Sequence, residues 1–189
     1  VLTRALVAIL LILVSAYLLG PFWMPRRLYR SLLYPGGRPN PLTRILNSAS
    51  AWMFSRGFLP EFLVMFETRG GRAGRVHRIP LVVANLSGNR YIVSMLGADV
   101  DWIRNVRAAN GEAVLRYGRV EEVRLREIPV EERAPILKAY LARAFGGRPH
   151  FDVDWKAPLA DFARVAARYP VFQVLPRTLP TEAVQKSSR

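Results

Sequence analysis

Ile79-Pro-Leu-Val-Val-Ala-Asn-Leu-Ser-Gly-Asn-Arg-Tyr-Ile-Val-Ser94 decides the fold class. Ile79–Leu86 is an apolar, β-branched run, Ser87-Gly88-Asn89 carries turn chemistry, and Tyr91–Ser94 is a second run. Together they predict a β-hairpin. Phe62-Leu-Val-Met-Phe66 upstream reads as a buried strand. Downstream, Ala113–Tyr117 and Val120–Ile128 flank Gly118 as another hairpin. In the second arm, apolar and charged positions alternate, so one face points inward. Val171-Phe-Gln-Val174 is a last short strand.

Helical patterns surround these strands. Leu42–Arg56 places Leu42, Ile45, Leu46, Ala49 and Met53 at helical spacing, with Gly57 as a C-cap. Trp102–Ala109 reads as a short helix, capped by Asp99 or Asp101. Glu131–Phe145 opens on acids that suit the helix dipole, and Leu159–Tyr169 follows Pro158. Strands joined by hairpins, with helices at the ends, give an α+β fold around a small antiparallel barrel.

The chain has 189 residues, 51% of them hydrophobic, enough for a sizeable core. Its 28 basic and 14 acidic side chains give a net charge of +14. That charge favours anionic partners. Residues 1–60 contain seven arginines and no acid. There is no cysteine, which excludes thiol nucleophiles, disulfides and Cys-ligated metals. The two histidines, His77 and His150, are too few for a multi-His metal site. The charge permits nucleic-acid binding, but no Arg/aromatic platform or helix-turn-helix spacing supports it.

Between Arg4 and Arg26 no residue is charged, and Ala5–Leu19 is almost wholly aliphatic. About 20 helical residues cross a bilayer core. Residues 1–24 therefore read as a transmembrane anchor, with a cleaved signal peptide ending near Ala16 as the competing reading. Arg26, Arg27 and Arg30 outweigh Arg4, which puts the following domain on the cytoplasmic side. The trio would also hold the chain to anionic lipid. Residues 25–41 read as a basic Pro/Gly-rich linker, 42–175 as the barrel domain and 176–189 as a disordered tail.

The chain lacks a Gly-x-Ser-x-Gly elbow, a Walker loop, a strand-linked Gly-x-Gly-x-x-Gly and His-Glu-x-x-His. An enzyme of this composition would leave the difficult chemistry to a cofactor. The richest segment is Thr68-Arg-Gly-Gly-Arg-Ala-Gly-Arg-Val-His-Arg-Ile-Pro80. Gly70, Gly71 and Gly74 allow sharp turns and close backbone approach, while Arg69, Arg72, Arg75, His77 and Arg78 supply cationic donors. It is either a cradle for phosphate and carboxylate groups or a solvated Gly/Arg loop. His150, Asp152 and Asp154 alternate as metal ligands would on a strand, but Pro149 and Pro158 indicate a loop. No metal is expected there.

Thr68–Leu81, followed by Ser94-Met-Leu-Gly-Ala-Asp-Val-Asp-Trp-Ile-Arg-Asn-Val-Arg-Ala-Ala-Asn110, resembles the deazaflavin-dependent nitroreductases. These are actinobacterial oxidoreductases that use coenzyme F420 on a split β-barrel. The resemblance runs from about Leu42 to Val174. The family's Gly-Arg-Lys-Ser-Gly loop stands here as Gly70, Gly71, Arg72, Ala73, Gly74, so Arg72 keeps the cation and two polar positions are lost. The resemblance implies that Arg69, Arg72, Gly74, Arg75, His77 and Arg78 hold the cofactor phosphate. Ile79, Pro80, Ser94, Met95, Leu96 and Gly97 would flank the ring, with Trp102 and Asn105 beside it.

It further implies an F420H2-dependent reductase acting on a quinone, nitroaromatic or activated alkene, and a membrane-anchored member would reach a menaquinone-like acceptor in the bilayer. Tyr91 or Tyr140 could supply a proton; no catalytic residue is assigned. The alternatives are a split barrel holding FMN or haem, and a non-enzymatic protein that binds anionic lipid. A homodimer is compatible with either.

Overall fold

The structure, a computed structural model, describes residues 19–22, 24–70 and 74–177. Most of the expected anchor (1–24), the tip 71–73 and nearly all of the expected tail therefore lie outside the described residues. Among those described, no helix is long and apolar enough to cross a membrane.

Six antiparallel strands form the molecule's centre: β1 (Leu63–Gly70), β2 (Arg75–Leu86), β3 (Asn89–Val93), β4 (Glu112–Arg116), β5 (Val120–Glu127) and β6 (Val171–Pro176). They close in the order β1-β2-β3-β6-β5-β4, with β1 paired back to β4. The β2–β3 turn is as tight as the sequence predicts, with Ser87 and Gly88 both at positive φ and Leu86 opposite Asn89. β1 and β2 extend well beyond their predicted runs. Thr68 pairs with His77, Arg69 with Val76 and Gly70 with Arg75. Most of the expected Gly/Arg loop is thus a hairpin ladder, because pairing satisfies backbone groups whatever the side chains are.

Val64, Phe66, Val83, Ile92, Leu115, Val123, Leu125, Phe172 and Val174 fill the barrel. A short helix plugs it with Trp102, Ile103 and Val106. The Trp102 ring lies 5.5 Å from both Phe66 and Phe172, edge-on to each. Five α-helices lie wholly within the described residues: α1 (Arg26–Leu33), α2 (Pro41–Ser55), α3 (Asp101–Ala108, the plug), α4 (Arg133–Arg143) and α5 (Leu159–Val165). Neither aspartate caps α3. Val100 occupies the N-cap position, and Asp101 sits in the first turn, where its charge suits the dipole and it pairs with Arg104.

A second core joins α4 and α5 to Ala84, Tyr91, Val93 and Val171. α2 packs against β1 and β2. Asn40 caps it, its side-chain oxygen accepting from the Thr43 amide at 2.8 Å. Its far end meets the β4–β5 hairpin, where Gly118 N donates to Ser55 O at 2.9 Å. A Cβ on Gly57 would lie 2.7 Å from the Gly118 Cα, so this approach excludes any larger residue.

The segment expected to be a linker is instead partly folded. α1 buries Tyr29 and Leu33, and with Tyr34 they pack on Met95 and Leu96. Arg26 bonds Asp154 Oδ2 and Phe151 O; Arg30 bonds Asp152 Oδ1 and Pro149 O. Two of the three arginines expected to face lipid therefore pin α1 to the 149–154 segment. At the other end β6 reaches Pro176, and Arg177 pairs with Glu112 and Glu122.

Phe66 has no exposed surface and Phe58 is 85% exposed. Phe66→Ala should lower the unfolding free energy by about 3–5 kcal/mol. Phe58→Ala should change it by less than about 0.5 kcal/mol. Urea denaturation of the two variants checks this contrast.

Candidate functional site

The closed ladder sets which residues share a face. On β1, Val64, Phe66 and Thr68 point inward, so Met65, Glu67 and Arg69 point outward. Register places Pro80 opposite Met65, Arg78 opposite Glu67 and Val76 opposite Arg69. On the other side of β1, Arg116 of β4 stands opposite Met65. This outer surface is roofed by α2, and a cleft of about 820 Å³ lies between them. α2 contributes Ala51, Trp52 and Arg56; the strands contribute Met65, Glu67, Val76, His77, Arg78 and Arg116. The volume is within the range of small-molecule sites, roughly 300–1,000 Å³.

Glu67 is the cleft's one carboxylate, and its side chain is 8% exposed. Arg78 Nε donates to its Oε1 at 2.7 Å. Arg116 Nε lies 2.9 Å from the same oxygen, at an angle that makes an ion pair but no hydrogen bond. Burial alone raises the Glu67 pKa, but the two guanidinium groups outweigh it and hold the carboxyl below its ordinary value. Two arginines on one carboxylate leave the surface cationic, with the buried Arg116 Nε lacking an acceptor. Trp52 adds an apolar wall, and the Arg56 guanidinium lies 4.7 Å from its ring centroid.

The sequence-predicted residues divide among three places. Arg69, Gly70, Gly74, Arg75, His77, Arg78 and Pro80 lie on the β1–β2 hairpin; Arg72 lies outside the described residues. Gly74 turns at φ +58 with open space beside it. Arg69 and Arg75 are exposed and have no carboxylate partner among the described residues. Asn105 and Trp102 are in the plug. Asn105 Nδ2 donates to Thr68 Oγ1 at 3.4 Å, and a Cβ on Gly70 would lie 1.9 Å from Asn105 Oδ1. The small residue at 70 thus lets the plug reach the root of the hairpin. Trp102 and Ile79 pack in the barrel core.

Ser94, Met95, Leu96 and Gly97 join β3 to the plug. Ser94 Oγ donates to Gly97 O at 2.6 Å, and Met95 and Leu96 lie against the α1 cluster. Because β1, β2 and β3 alternate in direction, this connection and the tip of the β1–β2 hairpin are at the same end of the barrel. Sequence reasoning missed Glu67, Arg116 and the α2 wall. A carboxylate directly after the apolar run Phe62–Phe66, with Arg69 two residues on, was the available signal.

The other acidic candidates are engaged elsewhere. Asp152 is shared by Arg30 and Arg168, and Asp154 by Arg26. No group of metal-ligating side chains converges among the described residues. His150 is buried edge-on against Tyr34, ring centroids 4.5 Å apart, with Nε2 unpartnered. Burial, helped by the nearby Arg30 charge, lowers its pKa to about 4. Tyr91 and Tyr140 belong to the core beneath α4, and burial pushes the Tyr140 hydroxyl well above its ordinary value.

At the opposite end of the barrel, Glu121 accepts two bonds from Arg90 and one from Tyr117. The Arg90 bonds lower the Glu121 pKa to about 2, against the opposing effect of burial.

The class these features define is an α+β protein whose closed six-stranded antiparallel barrel fits the split-barrel pattern, with a cationic hairpin and a roofed cleft on one side. No family model and no curated protein matches the chain. Among solved structures it is similar to an F420-H2 dependent reductase, at 24% identity over 61% of this chain and 96% of that one, with a TM-score of 0.42. It is also similar to a domain-swapped dimer, at 24% identity over 70% and 92%, TM-score 0.43. A third is a heme binding protein from Mycobacterium smegmatis, at 11% identity over 68% and 47%, TM-score 0.41. The fold assignment rests on the strand pairing rather than on these scores.

Depressed pKa values at His150, Glu121 and Glu67 all favour the folded state less as pH falls, the first two by the most. His150 is held neutral, so its contribution is complete above its ordinary value of 6.5 and is lost as pH falls to about 4. Glu121 is held ionised, so its contribution is complete above 4.5 and is lost as pH falls toward 2. Denaturant midpoints measured across pH should show His150→Phe flattening the upper window and Glu121→Gln the lower.

Proposed function

We propose that the protein is an F420H2-dependent oxidoreductase that delivers hydride to a quinone, nitroaromatic or activated alkene. One observation carries this reading. The β1–β2 hairpin presents Arg69 and Arg75 without carboxylate partners among the described residues, while Glu67 is occupied by Arg78 and Arg116. A cationic ladder of this kind suits the phosphodiester and polyglutamate groups of the deazaflavin cofactor. The sequence resemblance of residues 68–110 to F420-using nitroreductases narrows an anionic ligand to this one.

The reduced cofactor, when bound, supplies the hydride. The chain's own tasks are to bind, orient and exclude water. Arg69, Arg75 and the backbone at Gly74 would hold the anionic groups. Asn105 joins the plug to the root of the hairpin through Thr68. We assign no proton donor; Tyr91 and Tyr140 belong to the core beneath α4. In this reading the apolar N-terminal segment anchors the protein with its barrel on the cytoplasmic side, within reach of a lipid-dissolved acceptor.

Fluorescence titration of the purified protein with F420 tests the proposal. Saturable micromolar binding supports it, and no binding at that concentration refutes it. FMN and haem, added in parallel, should bind more weakly. Arg69→Ala and Arg75→Ala should each weaken F420 binding by about tenfold or more, the value of a lost hydrogen bond to a charged group. Turnover at saturating cofactor should change little, because the contacts are uniform in ground and transition states.

A further inference from the structure

We propose that the outward face of α2 is a lipid-contact surface that lies on an anionic bilayer. The inference does not depend on the cofactor. α2 buries Thr43 and Ala51. Turned away from Thr43, the helix exposes Ile45, Ala49, Trp52, Met53 and Arg56 at helical spacing, with Arg44 exposed near its start; Trp52 and Arg56 also edge the cleft. Ile45 is 67% exposed, Trp52 60% and Met53 43%. Just past the helix end stands the fully presented Phe58. A continuous apolar stripe of this kind is unusual on a free surface.

Charge selects the occupant. Arg44 and Arg56 bracket the stripe, and exposed Arg27 and Arg38 lie on the preceding segment. Residues 1–60 hold no carboxylate. A second copy docking symmetrically would set these arginines against each other, with no carboxylate on α1 or α2 to compensate. A bilayer rich in anionic headgroups matches both features. The apolar residues enter the headgroup boundary, Trp52 takes the interfacial depth its amphipathic ring favours, and the arginine stems run along apolar surface to reach phosphate. α1 repeats the pattern, with Leu28 and Leu32 exposed beside Arg27. Since Trp52 also lines the cleft, this contact would set the cleft mouth at the lipid surface.

The absence of cysteine allows a local test on the full chain. Met53→Cys, carrying a polarity-sensitive fluorophore, reports on the stripe. Ile45→Cys gives a second position should the first variant fold poorly, and Leu159→Cys on α5 is the control. With vesicles of phosphatidylcholine plus phosphatidylglycerol, the stripe labels should shift to the blue while the α5 label does not. Arg44→Glu with Arg56→Glu should abolish the shift. Stripe labels that stay aqueous in the presence of these vesicles overturn the proposal, whether or not the protein binds them by another segment. An equal shift on phosphatidylcholine alone contradicts the anionic selection. Burial of the labels without vesicles, rising with protein concentration, would make the face an interface between copies instead.

Discussion

The carboxylate of Glu67, held between Arg78 and Arg116, ties together the three strands on which the candidate site stands. β1 is the seam of the barrel: it pairs with its hairpin partner β2 and closes the cylinder against β4. Backbone pairing makes the seam, and Glu67 joins its outer surface with one charged contact to each neighbour. The buried carboxylate is tolerable only because two cations face it. Its cost in solvation is offset there, and the same arrangement leaves the hairpin's remaining arginines unneutralised.

That constraint links fold to function. The inner side of β1 is committed to packing: Phe66 meets the Trp102 plug, and Thr68 meets Asn105. Its outer side is committed to charge. The alternation of a single strand thus separates a dry core from an outer surface that carries Glu67 and Arg69. α2 covers part of that surface and forms the cleft, and its own outward face carries a second pattern, apolar with arginine ends. One helix therefore borders the cleft and carries an exposed apolar stripe, and Trp52 and Arg56 belong to both.

The strands were legible where residue type and structure agree. Ile79–Ser94 combines β-branched runs with a turn that only small, permissive residues make easily. The hairpin extension to Arg69 and Arg75 was not legible, because glycine and arginine carry little β-propensity and the ladder alone decides their conformation. The composition of α1, Arg-rich and flanked by proline and glycine, reads as linker. What folds it is long-range: Arg26 meets Asp154 and Arg30 meets Asp152, more than a hundred residues away. Likewise, Arg69, Arg75, His77 and Arg78 were identifiable as a cationic set. Arg116 was not, since its neighbourhood to Glu67 exists only after β4 pairs with β1.

Arg78 and Arg116 are engaged by Glu67, whereas Arg69 and Arg75 have no carboxylate partner among the described residues. Arginine Nε–H resonances, assigned by substitution and followed by NMR through an F420 titration, measure this most directly. Large shifts are expected at Arg69 and Arg75, with the Arg78 signal, already bonded to Glu67, nearly stationary. Movement of Arg78 while Arg69 and Arg75 stay fixed, or no movement in any of them, would contradict this.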